Sequence, residues 1–209
     1  MKILKISPKN TKKAIKETVE TIKKGGVVVC PTDTVYGLIA DVKNNIAIKQ
    51  IFQIKKRSFK KPLPVFVKDL KMAKSIAYIG KRQEKILKKV WPGKFTAVLE
   101  AKSLKFPKGI LSKDKKIGLR IPKYKLLNLL LKELNLPLAE TSANISGKRA
   151  ITKIKDILKE FTRKKYQPDL VLDAGNLKES LSSTVVDLVD FKIIREGEIP
   201  KEKILKILR

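Results

Sequence analysis

Residues 26–38 read Gly26-Val27-Val28-Val29-Cys30-Pro31-Thr32-Asp33-Thr34-Val35-Tyr36-Gly37-Leu38, and the fold turns on this stretch. A β-branched run bounded by Gly and Pro forms a short buried strand. The Pro-Thr-Asp-Thr turn leaving it brings two hydroxyls, a carboxylate and a phenol close together, before Gly37, which lets another backbone approach. From Val35 to Val42 the chain is extended again, so the two arms make a hairpin-like unit. Alternate residues of a strand share a face, which would put Thr32, Thr34 and Tyr36 on one side. A polar turn without further role is the other reading of the octapeptide, and segments further along weigh against it.

Working outward, Lys2 to Ile6 forms a first strand, closed by Ser7-Pro8. Residues 10–24 follow as a helix capped by Asn10 or Thr11, with Ile15, Val19 and Ile22 on one face. Beyond the hairpin, Asn44-Asn45 opens a helix whose stripe is Ile48, Ile51 and Phe52. The same spacing brings Lys55 onto the inward edge at the helix end, where a cation also suits the dipole. Lys55-Lys56-Arg57-Ser58-Phe59-Lys60-Lys61-Pro62 is then a basic loop before a strand at 63–67. A charge run is usually a solvated face. Here it joins a buried helix to a buried strand, so Lys55 or Arg57 can instead be aimed at an anion.

The rest alternates. Helices at 69–77 and 80–90 stop at Trp91-Pro92-Gly93, and strands follow at 95–101 and 117–121. A leucine-rich helix at 123–134, a helix near 152–162, strands at 170–172, 183–189 and 191–195, and a short helix from Lys201 complete the chain. Arg120 stands inside an otherwise apolar strand, where a charge is costly unless paired. Either it makes a structural salt bridge or its bidentate fork binds a carboxylate or phosphate. The second polar cluster is Glu140-Thr141-Ser142-Ala143-Asn144-Ile145-Ser146-Gly147. Its small hydrogen-bonding residues can cradle a phosphate or ribose, or make an Asx turn that caps the next helix.

Composition narrows the chemistry. The 209 residues suffice for one domain with a full core. The single cysteine, Cys30, excludes an internal disulfide and any CxxC site, and in the valine run it acts as a small buried hydrophobe. No histidine is present. That removes Ser-His-Asp and Cys-His nucleophiles and every histidine-based metal site. What remains suits catalysis by positioning and charge stabilisation, as in phosphoryl or nucleotidyl transfer. Forty-nine Lys and Arg against 20 Asp and Glu give a net charge of +29, a field that attracts polyanions. The lysines are spread over the whole chain, so a basic surface without a specific partner fits equally well, as in heat-adapted proteins. No apolar run reaches the ~20 residues that span a bilayer and no signal peptide is visible, so a cytoplasmic location is expected.

Pro31–Leu38, the Lys55-Lys56-Arg57 stretch ending in Lys61-Pro62-Leu63, and Thr141–Gly147 together resemble the YrdC-type family, the threonylcarbamoyl-AMP synthases. Arg120-Ile121-Pro122, Ser183-Thr184-Val185-Val186-Asp187 and Ile194-Arg195-Glu196-Gly197 extend the similarity from about Lys5 to Pro200. The resemblance implies an α/β (α+β) fold, a twisted mixed β-sheet flanked by helices with a concave basic active-site surface, as a single domain over 1–209 without the additional carboxy-terminal domain of longer members. It implies a nucleotidyltransferase that joins L-threonine, bicarbonate or CO2 and ATP into threonylcarbamoyl-adenylate and pyrophosphate. A downstream transferase would pass the threonylcarbamoyl group to tRNA. Lys55 and Arg57 would hold the ATP phosphates and offset developing charge, Ser142 and Asn144 would bind from the opposite side, and Arg195 would join the nucleotide site. Thr32, Thr34, Arg120 and Thr184 would surround threonine, with Arg120 on its carboxylate. Mg²⁺ is expected on the triphosphate, with no protein ligand assigned. Two positions depart from the family pattern: Ser58, often proline, and Ala150, often a hydroxyl residue. The alternative is a basic module that binds double-stranded RNA or tRNA and catalyses nothing.

Overall fold

The structure, a computed structural model, describes residues 1–208. Ten strands make one sheet: β1 (Lys2–Lys5), β2 (Val28–Cys30), β3 (Gly37–Asp41), β4 (Val65–Phe66), β5 (Phe95–Glu100), β6 (Lys116–Arg120), β7 (Leu138–Ser142), β8 (Leu170–Asp173), β9 (Thr184–Asp187) and β10 (Lys192–Arg195). The helices are α1 (Thr11–Lys23), α2 (Asn45–Lys55), α3 (Leu70–Ile76), α4 (Lys81–Val90), α5 (Lys125–Leu134), α6 (Ile154–Phe161) and α7 (Lys201–Leu208). Across the sheet the order is β1-β8-β2-β3-β7-β4-β6-β5-β9-β10. Parallel pairs (β1 with β8, β4 with β6, β5 with β9) mix with antiparallel ones (β2 with β3, β3 with β7, β5 with β6). The expected mixed sheet flanked by helices is what forms.

Side-chain alternation along the strands divides the two faces. Val29, Leu38, Val65, Phe95, Ala97, Ile117, Leu119, Ala139, Val171 and Val186 lie in the larger core, which α2, α3, α4, α6 and α7 cover. Val28, Cys30, Ile39, Phe66, Leu138, Leu170 and Leu172 point the other way and meet Ile22 of α1 and the leucines of α5. Two helices cannot cover ten strands. Over β5, β6 and β9 this second face therefore carries Thr96, Val98, Lys116, Gly118, Arg120 and Val185 instead of a leucine layer, and a cavity opens there. The sheet thus explains both the core and the concavity. Leu119 sits fully buried on the covered face, directly behind the cavity. Leu119→Ala should lower unfolding free energy by about 2–5 kcal/mol, read from denaturant midpoints.

Local signals account for the boundaries. The Asn44 side chain accepts from Ala47 N at 3.0 Å and caps α2, and Asp69 accepts from Met72 N at 2.7 Å to cap α3. Lys56, with φ 49°, ends α2 in the left-handed conformation, and the chain turns there to aim the basic loop back over the sheet. The expected common face of Thr32, Thr34 and Tyr36 does not form. Residues 31–36 are a turn rather than strand, so strict alternation fails. Tyr36 drops into the larger core, its hydroxyl donating to Gly175 O at 2.7 Å and accepting from Ala174 N at 3.0 Å.

Candidate functional site

The cavity, about 370 Å³, is walled by the turn after β2, the basic loop after α2, the end of β7, strands β5 and β6, and the segment from Ser182 to Arg195. Of the residues anticipated as site residues, Thr34, Arg57, Arg120, Ser142 and Arg195 line it. Lys55, Thr32, Asn144 and Thr184 do not. They hold the walls in place.

Three arginines dominate the lining. Arg120, only 2 % exposed, donates from Nη2 to Asp33 Oδ1 at 2.6 Å and from Nε to the Gly93 carbonyl at 2.9 Å. The buried salt bridge and a cavity-lining cation are therefore one residue. Arg57 donates from Nε to Lys61 O at 2.9 Å and from Nη2 to Pro62 O at 3.1 Å, and Arg195 donates from Nη2 to Ser183 O at 2.8 Å. Each guanidinium is anchored to protein oxygens along one side. Its Nη1 has no protein partner among the described residues. Burial lowers the pKa of Arg57 and of Arg195, and the Glu140 carboxylate opposes both shifts; a guanidinium stays charged regardless.

Lys55, expected to hold phosphate, is 1 % exposed and lies behind the cavity lining. Its Nζ donates to the carbonyls of Ser142 and Asn144 and to Asn144 Oδ1, the last two at 2.9 Å. An ammonium has three donors, and all three are taken. The helix end also holds the same turn through its backbone, since Ser146 N donates to Lys55 O at 2.8 Å. Burial pushes Lys55 down to about 7, with the Arg57 charge adding to the shift and Glu140 opposing it. Within the turn, the Ser142 hydroxyl donates to Asn144 Oδ1 at 2.6 Å, leaving Ser142 at the cavity and Asn144 facing an adjoining groove with Lys148, Thr152 and Lys153.

Thr32 Oγ1 accepts from Thr34 N at 3.0 Å and Val35 N at 3.2 Å and donates to Val35 O at 2.7 Å. A hydroxyl so used fixes the turn and presents Thr34. Thr184 Oγ1 donates to Ile199 O at 2.8 Å and accepts from Ile199 N at 3.0 Å, which seats the final loop beneath β9. Its neighbour Ser183 lines the cavity instead, paired with Thr96 at 2.8 Å.

The sequence reading missed Asp33 as the partner of Arg120, as well as Lys61, Thr96, Ser183 and Glu140 in the lining. Lys116 also lines the cavity, but Asp187 and Asp190, both at 2.8 Å, engage it and hold it up at about 12. An inventory of hydroxyls and unpartnered guanidinium nitrogens over a closed β-sheet floor is suited to binding carboxylate and phosphate groups without covalent help. No group of three His, Cys, Asp or Glu among the described residues is placed to hold a metal. No helix among them is long and apolar enough to cross a membrane.

Comparison with known proteins bears on this geometry. The family model Sua5_yciO_yrdC, described as "Telomere recombination", matches residues 20–197. A protein of Methanocaldococcus jannaschii, whose name assigns threonylcarbamoyl-AMP synthase activity provisionally, is 38% identical over 209 residues, covering 99% of this chain and 96% of the relative. The threonylcarbamoyl-AMP synthase of Pyrococcus abyssi is 32% identical over 190 residues, covering 90% of this chain and 55% of that one. The chain therefore spans little more than half the length of that relative. Among solved structures, P. abyssi Sua5 complexed with L-threonine superposes with a TM-score of 0.87 at 29% identity, covering 99% of this chain and 60% of that one. Escherichia coli YciO superposes at 0.85 with 26% identity, covering 98% and 100%.

Proposed function

The chain belongs to the Sua5–YciO–YrdC family, and from that premise we propose that it is a threonylcarbamoyl-AMP synthase. Its substrates are L-threonine, bicarbonate or CO2, and ATP; its products are threonylcarbamoyl-AMP and pyrophosphate. The observation that carries the reading is the trio Arg57, Arg120 and Arg195, each anchored on one side and unpartnered at Nη1, around one cavity. The named activity of the relatives and the L-threonine complex of the P. abyssi protein supply the substrate class.

In this reading Arg120 receives the carboxylate of threonine, while Thr34 and Ser183 offer hydroxyls to its side chain. Arg57 and Arg195 face the phosphates of ATP, helped by Ser142, and the nucleoside extends past Asn144 into the adjoining groove. Lys55, Thr32 and Thr184 position the turns that carry these groups. The amine, freed of its proton, forms a carbamate, and a carbamate oxygen attacks the α-phosphorus as pyrophosphate departs. The fixed arginines offset charge developing on the phosphoryl oxygens, and being already oriented they need no rearrangement to do so. Mg²⁺ would come on the triphosphate, its coordination filled largely by phosphate oxygens and water. No carboxylate cage for it stands among the described residues, and no step here runs through the metal.

The product serves a downstream transferase that modifies tRNA, in the cytoplasm. Pyrophosphate release by the pure protein tests the reading, measured with and without L-threonine and bicarbonate. Release should require both, and Arg57→Ala should lower it about 100-fold with an unchanged circular dichroism spectrum. Absence of release, together with tight RNA binding that weakens steeply with salt, would replace the enzyme by a basic RNA-binding module.

A further inference from the structure

Glu140 is the one acidic residue in the lining of a cavity that otherwise presents Arg57, Lys61, Lys116, Arg120 and Arg195. It is 9 % exposed. Its backbone is fixed by the ladder, with Glu140 N donating to Pro64 O at 2.8 Å and the residue paired opposite Ile39. Its carboxylate accepts no hydrogen bond from any described residue, although cations surround it. Those cations donate from one side to other oxygens, and none of their open Nη1 groups donates to Glu140. Arg120 is held by Asp33 and Gly93, Arg195 by Ser183, Arg57 by Lys61 and Pro62, and Lys55 by the 142–144 turn. No fully buried side-chain oxygen lacks a partner among the described residues, so the unbonded carboxylate opens on the cavity, where a bound group can donate to it. The triphosphate and bicarbonate are anions, and Mg²⁺ would be held by phosphate oxygens and water. Within the proposed reaction one substrate group is cationic, the ammonium of the amino acid.

Resting on that reaction, we propose that Glu140 binds the α-ammonium of the amino-acid substrate and accepts its proton. An ammonium N–H bond breaks, the proton passes to a Glu140 carboxylate oxygen, and the nitrogen lone pair is released to attack the carbon of CO2. A C=O electron pair moves onto oxygen, and the second N–H proton leaves to water as the carbamate forms. Arg120 on β6 and Glu140 on β7, two strands apart on one sheet face, then recognise the two ends of a zwitterion. The alternation supports this: Leu138, two residues before Glu140, pairs with Phe66 of β4, which pairs in turn with Arg120, and Leu138 and Phe66 lie on the second face. Burial raises the pKa of Glu140; the charges of Arg120, Arg195 and Lys55 oppose that, and Asp33 reinforces it. With Arg57 also acting on it, and Lys61 and Lys116 in the same lining, these are the charged groups around the carboxyl. A carboxyl whose pKa is raised by burial is suited to taking a proton reversibly.

Two measurements test this. Calorimetric binding compares L-threonine with N-acetyl-L-threonine, which lacks the ammonium, on the wild type and on Glu140→Gln. The wild type should prefer threonine, and the variant should lose that preference. Steady-state pyrophosphate release should then show kcat/KM for threonine lowered about 100-fold in Glu140→Gln, KM for ATP within about 3-fold of wild type, and the ascending limb of the pH profile gone. Glu140→Asp should recover part of the rate. If Glu140→Gln keeps the preference and the profile while the wild type releases pyrophosphate, the ammonium site is wrong and the synthase reading stands. Equal shifts in both KM values would reduce Glu140 to charge balance and overturn the proposal. A wild type that discriminates through Glu140 yet releases no pyrophosphate supports the ammonium site and overturns the reaction.

Discussion

Arg120→Ala is expected to lose about 3–5 kcal/mol of stability and to abolish threonine-dependent turnover, and the two losses should be separable. Arg120 and Asp33 are 2 % and 7 % exposed at their side chains and lie 2.6 Å apart. Removing the guanidinium leaves the Asp33 carboxylate buried with only Lys123 N, at 3.1 Å, to donate to it. An uncompensated buried charge costs far more than the pair contributes over a neutral replacement. A second change, Asp33→Asn, removes that charge. The double variant should therefore regain most of the stability in urea titrations. It should not regain activity, since the carboxylate of threonine still has no guanidinium. Arg120→Lys tests the geometry separately. A lysine keeps the charge but cannot bind Asp33, Gly93 O and a ligand together in one planar fork, so kcat/KM for threonine should remain at least about tenfold low. Recovered turnover in the double variant would show that Arg120 serves the fold alone.

The second large effect is at Lys55. Lys55→Met keeps the apolar stem and removes the ammonium, so the carbonyls of Ser142 and Asn144 and the Asn144 amide oxygen lose their common donor. Each lost partner costs about 1–3 kcal/mol, offset in part by no longer burying a charge. A net loss of about 2–3 kcal/mol is expected, with the 142–146 turn loosened. Because that turn carries Ser142 at the cavity and Asn144 at the groove, KM for ATP should rise more than KM for threonine. The pH dependence has a definite sign. Lys55 titrates at about 7 in the fold against 10.5 as an ordinary lysine, so between these values the unfolded chain binds more protons and stability rises with pH. Below about pH 7 both states hold the proton and the contribution is flat. Lys55→Met should lack this rise, as thermal or urea unfolding at pH 6.5 and 9.5 will show.

Legibility in the sequence followed the range of the interactions. The strands and helices came from periodicity and from Gly and Pro punctuation, because these reflect contacts within a few residues. Arg120 in an apolar strand was visible as an anomaly, and the inward placement of Lys55 followed from helical spacing. What each cation touches was not visible. The Arg120–Asp33 contact joins residues 87 apart and the Lys55 contacts join residues 87 and 89 apart, distances over which no local pattern carries information. The same holds for Thr184, whose hydroxyl is taken by Ile199 rather than by the cavity. Tyr36 failed for a different reason: period-2 reasoning was applied across a turn, where it has no force.

By itself, then, the sequence determined the strands and helices and the order of its motifs, through the family resemblance of those motifs the mixed sheet, and through its lack of histidine a chemistry of positioned charges. The tertiary structure alone decided which charges are spent on one another and which face the cavity. Anchored guanidinium groups keep at least one nitrogen open, while Lys55 has none, and for Arg120 and Lys55 that difference depends on oxygens distant in the chain. It also isolated Glu140, an unremarked residue within a polar run, as the single carboxylate in a ring of cations. Side-chain burial and hydrogen-bond saturation are properties of three-dimensional neighbourhoods, so only the packed sheet could reveal them.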